Sequence, residues 1–98
     1  MPDDNVIVLK VAAGTRIPGL AGAMVKNLDE GKTVYARAYG SQALYQMTKA
    51  VAMANVYMDG QDEIWALIDT RFLEALNQDS IREFTFLLQK RSALQATA

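Results

Sequence analysis

The sequence predicts an α/β protein, a two-layer α+β sandwich of order βαβαββ with a four-stranded mixed sheet and two helices on one sheet face. Three observations lead there: a β-branched apolar run from Val6 to Val11, two stretches with helical period, and strict alternation in Thr33 to Tyr39 and Ile81 to Lys90. With 98 residues, 51% of them hydrophobic, the chain can bury one core and is too apolar for disorder. A single domain over residues 1–98 is expected, with 1–5 and 92–98 frayed.

Val6-Ile7-Val8-Leu9-Lys10-Val11 reads as a mostly buried strand, followed by a turn from Ala12 to Pro18. Pro18 suits the first helical position, where a missing N–H leaves no bond unmade. The helix runs to about Asp29, with Leu20, Ala21, Met24, Val25 and Leu28 on one face and Gly31 as its stop. In Thr33 to Tyr39, Val34, Ala36 and Ala38 point one way and Tyr35, Arg37 and Tyr39 the other. Gly40 breaks this strand and Ser41 is the expected N-cap of a longer helix. Its apolar positions are Ala43, Met47, Ala50, Val51, Ala54 and Met58, and it stops at Asp59-Gly60.

Glu63 to Phe72 reads as a third strand, although Phe72 to Leu76 also fits a helical pattern. A turn cluster at Asn77 to Ser80 leads into Ile81 to Lys90, where Phe84, Phe86 and Leu88 alternate against Glu83, Thr85 and Gln89. That last strand closes an antiparallel hairpin and is expected at a sheet edge. The two helical crossovers join parallel strands with right-handed connections, so both helices fall on one side.

Composition excludes most chemistry. The chain has no cysteine and no histidine, which removes disulfides, thiolate metal sites, the usual general base near neutral pH and the commonest metal ligand. No metal, cofactor or catalytic residue is therefore assigned, and an enzyme is not expected. No apolar run approaches the roughly 20 residues of a membrane span. The acidic start, Met1 to Asn5, is unlike a signal peptide, so a cytoplasmic protein without a membrane partner is expected. A net charge of −1 supplies no global field for nucleic acid, which would have to be held by a local patch.

Two patches qualify. Gly14, Thr15 and Arg16 precede one helix, and Gly40, Ser41 and Gln42 open the other, with Tyr45, Gln46 and Lys49 on its polar side. Helix N-termini hold phosphate through free N–H groups and the positive dipole end, and parallel crossovers set the two termini side by side. The glycine spacing is not that of a P-loop, and an ordinary βα turn explains the same residues. The second patch is the sheet face without helices, where Tyr35, Arg37, Tyr39 and Leu87 form a surface that a soluble monomer seldom leaves open. Aromatics and arginine favour subunit interfaces, so a homodimer, possibly paired into a tetramer, is expected there.

Three segments carry a resemblance: Leu9-Lys10-Val11-Ala12-Ala13, Leu20-Ala21-Gly22-Ala23-Met24, and Tyr39-Gly40-Ser41-Gln42-Ala43-Leu44-Tyr45-Gln46-Met47-Thr48-Lys49-Ala50-Val51-Ala52-Met53-Ala54. In residue type and spacing the chain resembles the stage V sporulation protein S family. Gln42 stands where the family motif has its second glycine, and Tyr45 where it has asparagine. That family is similar in fold to Alba chromatin proteins and to the C-terminal domain of translation initiation factor three. The resemblance implies an Alba-like βαβαββ domain, frequent dimers and nucleic acid as the ligand class, and it adds Lys10 to the candidate phosphate contacts. The expected function is that of a non-enzymatic nucleic-acid-binding or regulatory protein acting as a homo-oligomer. The alternative is a protein-interaction regulator of sporulation or cell division that touches no nucleic acid.

Overall fold

The computed structural model describes residues 5–58, 60, 62–69 and 83–92. In chain order the elements are β1 (Val6–Val11), α1 (Ile17–Asp29), β2 (Thr33–Tyr39), α2 (Ser41–Met58), β3 (Asp62–Ile68) and β4 (Glu83–Ser92). The sheet order is β1-β2-β4-β3, with β1 parallel to β2 and β4 antiparallel to both of its neighbours. The βαβαββ order and the mixed four-stranded sheet are as the sequence predicts.

The last strand is not at an edge. β4 lies between β2 and β3, which leaves β1 and β3 as the edges. Side-chain volume accounts for this placement. The inward positions of β2 are small, and Ala36 and Ala38 pair with Phe86 and Phe84 of β4, so large residues fill what small ones leave. The third strand is also shorter than expected and ends at Ile68, although the Asp69 N–H still donates to the Thr85 carbonyl at 2.8 Å. β4 runs to Ser92, past the expected Lys90. The readings of residues 70–72, of the Phe72 to Leu76 pattern, of the Asn77 to Ser80 turn and of the strand start at 81–82 lie outside the described residues. So do those of Asp59 and of the chain ends at 1–4 and 93–98.

Both helices cover one sheet face. Leu20, Ala21, Met24 and Leu28 of α1 and Ala43, Met47, Ala50 and Ala54 of α2 share a core with Val11, Val34, Ala36, Ala38, Ile64, Phe86 and Leu88. Ala43, Ala50 and Ala54 give the buried side of α2 little bulk. Among the described residues no helix is long and apolar enough to cross a membrane.

The termini of the helices are built by identifiable bonds. α1 ends in a Schellman motif: the Gly31 N–H donates to Leu28 O at 3.0 Å and the Lys32 N–H to Asn27 O at 3.1 Å, while Gly31 takes φ +80°. At its start the Leu20 N–H donates to Arg16 O, so Arg16 caps the helix and Pro18 holds the second helical position rather than the first. That position too has no intrahelical acceptor to lose. In α2 the Leu44 N–H donates to Gly40 O at 3.0 Å, which puts Gly40, not Ser41, at the cap. With φ +91°, Gly40 adopts a conformation that a side chain would oppose.

A side-chain clasp joins α2 to the edge strand β3. Asn55 Oδ1 accepts the Ile64 N–H at 2.6 Å and its Nδ2 donates to Ile64 O at 3.3 Å. One amide thus satisfies both backbone groups of a buried residue. On the other helix, Lys90 Nζ of β4 reaches Asp29 Oδ1 at 3.0 Å.

Candidate nucleic-acid interface

Because β1 and β2 run parallel, both leave the sheet at the same end, and the helices that follow them both begin there. The β1–α1 turn is closed by Thr15, whose N–H donates to Ala12 O at 3.1 Å and whose Oγ1 accepts the Ala12 N–H at 2.8 Å. Gln46, one turn into α2, donates from Nε2 to Thr15 O at 2.9 Å. This bond between positions far apart in sequence ties the two helix N-termini into one edge. Gly14 is exposed in the turn, Arg16 follows it exposed, and Ser41 and Gln42 are exposed at the start of α2. Neither helix has an acidic residue in its first turn, so nothing local cancels the positive end of either dipole.

The expected contacts do not all meet at this edge. Gly14, Thr15, Arg16, Gly40, Ser41 and Gln42 belong to it, but the lone pairs of Thr15 serve the turn and the Gln46 tether. Lys49 is two helical turns along α2, about 12 Å from its start, with Nζ 5.2 Å from the Tyr45 ring centroid. Lys10 lies around the corner, on the helix-free sheet face, level with Arg37. A concavity of about 560 Å³ lies at the opposite end of the sheet. Of its three cations, Lys32 and Lys90 are engaged by Glu30 at 3.2 Å and Asp29 at 3.0 Å, and Arg91 lies 5.1 Å from the Trp65 ring centroid.

The four interface candidates do share the helix-free face. Tyr35 pairs directly with Leu87. Arg37 donates from Nε to Glu83 Oε1 at 2.6 Å and from Nη2 to the same oxygen, and it sits 5.9 Å from the Tyr39 ring centroid. The hydrogen bond to Glu83 raises the Arg37 pKa above its ordinary value and keeps it charged. That cation is therefore compensated from within the chain.

Sequence reasoning missed three residues of this face. Register carries the row Val8–Tyr35–Leu87–Leu67 across all four strands, and Trp65 stands beside it on β3 with Arg91 5.1 Å from its ring centroid. Val8 was legible from the alternation in β1, which puts it with Lys10. Trp65 and Leu67 were not, because β3 is apolar on both sides and its alternation does not distinguish them.

The family model described as stage V sporulation protein S matches residues 7–72, two thirds of the chain. No curated protein matches it.

Proposed function

The chain belongs to the stage V sporulation protein S family, a membership that suggests a sporulation-related role, and from that premise we propose a non-enzymatic cytoplasmic protein that binds nucleic acid through its backbone phosphates. The binding edge is made by the N-termini of α1 and α2, with Arg16 as its principal cation and Lys49 as an outlying one. One observation carries the reading: the bond from Gln46 to Thr15 joins two helix N-termini beside an arginine that has no ion-pair partner among the described residues. Backbone N–H groups and Arg16 then converge on the same anion without first having to be brought together. Such contacts position a phosphate backbone and carry no base information, so weak sequence preference follows.

The test is a titration against labelled single- and double-stranded DNA and RNA at several salt concentrations. Affinity should fall with salt along a log–log line whose slope is roughly 0.9 per phosphate contacted in duplex DNA. No binding to any of the four at low salt sinks the reading. A second reading, a regulator that binds protein instead, draws support from the helix-free face, whose Arg37 is neutralised by Glu83 and whose central row is apolar. It predicts that null result.

A further inference from the structure

On the helix-free face, register sets Lys10, Arg37 and Thr85 in one row, at the end of the sheet where both helices begin and just ahead of the β1–α1 turn. Thr85 is 3% exposed, yet its Oγ1 has no hydrogen-bond partner. Together with Val6, Val8, Tyr35 and Arg37 it lines a hollow of about 200 Å³. A buried hydroxyl without a partner is rare enough to need a reason, and a ligand that carries a polar atom into the hollow supplies one.

Size, charge and shape narrow what can enter. A cavity of about 150 Å³ takes a benzene ring, so this one holds a single flat ring with its substituents. Arg37 in the wall is already paired with Glu83, so a ring that fits here need bring no charge. The Tyr35 ring and the Arg37 guanidinium plane are both surfaces on which an aromatic ring stacks. The Thr85 hydroxyl both donates and accepts, which suits the polar edge of any nucleobase. Lys10, exposed beside Arg37, has no ion-pair partner among the described residues and stands where the phosphate of such a nucleotide would be met.

We infer that this hollow receives one unpaired nucleobase of a strand whose phosphates pass Lys10 on their way to the helix edge. The inference rests on the nucleic-acid reading of that edge and adds a ligand class to it, single strands over duplexes. A base paired and stacked within a duplex has to be taken out of the stack before it can enter a hollow, whereas an unpaired base is already free to do so. The base lies against Tyr35, and its polar edge gives Thr85 the partner that the chain itself withholds. Lys10 before the β1–α1 turn and Arg16 after it place two cations on one path from the sheet face to the helix edge. A single hydroxyl that donates and accepts selects for a base without selecting which base, in keeping with contacts that otherwise go to the backbone.

Fluorescence anisotropy with labelled oligothymidylate, alone and annealed to oligoadenylate, tests the site at matched salt in the wild type, Val8→Phe and Thr85→Val. Val8→Phe adds a ring at a position that is 42% exposed, so it fills the hollow without disturbing the core. Thr85→Val keeps the side-chain shape and removes the hydroxyl. The wild type should bind the single strand more tightly than the duplex. Val8→Phe should weaken single-strand binding by about tenfold or more, as loss of one stacked base does, and Thr85→Val by about two- to tenfold. Duplex affinity and the circular dichroism spectrum should stay as in the wild type for both. A threonine with a merely structural role would alter thermal stability and leave single-strand affinity where it was. A duplex bound as tightly as the single strand, or single-strand affinity unmoved by Val8→Phe, overturns the nucleobase site while the helix edge stands. Binding of neither form removes the edge and the hollow together.

Discussion

Replacing Asn55 tests how the second helix holds the edge strand. The side chain satisfies the N–H and the carbonyl of Ile64, a residue only 3% exposed. Asn55→Ala removes two hydrogen bonds worth about 0.5–1.5 kcal/mol each and leaves two backbone groups to find water at a sheet edge. The expected loss is about 2 kcal/mol, or a fall in Tm of roughly 10 °C for a domain of this size. Asn55→Asp separates the two bonds. At neutral pH its carboxylate still accepts the Ile64 N–H but faces the Ile64 carbonyl with no proton to donate. Once protonated, the acid mimics the amide and restores the donor. The folded variant therefore binds the proton more tightly than the unfolded chain, its carboxyl pKa is raised, and folding is favoured as pH falls through that value. Urea unfolding followed by circular dichroism at pH 7 and at about pH 4 measures the gap between Asn55→Asp and wild type, which should narrow at the lower pH. An Asn55→Ala loss under about 0.5 kcal/mol, or a gap that ignores pH, refutes the clasp.

Other consequences are as direct. Gly40→Ala places a Cβ in open space but at φ +91°, so its cost is backbone strain alone, about 1–2 kcal/mol; Gly22→Ala, also in open space but inside α1, should stabilise by about 0.5–1 kcal/mol. Thermal melts that rank these two alike would contradict the conformational argument. Met24→Ala empties a site that is fully buried beneath α1, and chemical denaturation should report a loss of about 2–5 kcal/mol. In nucleic-acid titrations, Arg16→Ala should reduce the salt slope by about one unit. Adding Lys49→Ala should bring the reduction to at most about two. An unchanged slope in the double variant would mark both as solvated charges and remove the proposed contacts.

How far the sequence reached depends on the range of the interactions involved. Each helix and strand was legible because 3.6-residue and two-residue periods are local properties, visible along a few turns or a few alternations. The parity of β2 and β4 was legible for the same reason: Tyr35, Arg37 and Tyr39 do share a face with Glu83, Thr85 and Leu87. Adjacent helix N-termini followed from one parallel crossover. The cap at Gly40 was misread by one residue, since a helix end depends on bonds that composition only hints at.

By itself, then, the sequence determined the element order, the buried stripe of each helix and the inward face of each alternating strand. These follow from burying apolar side chains at a fixed backbone period. Only the tertiary structure decided which strands are neighbours. Nothing local tells β4 to enter between β2 and β3; that choice follows from Phe84 and Phe86 filling the space beside Ala38 and Ala36. With β4 inside, β3 becomes an edge, and Leu67 joins Leu87, Tyr35 and Val8 in one row. Three-dimensional register likewise brought Gln46 to Thr15 and Asn55 to Ile64, side chain to backbone across loops whose closure no period encodes.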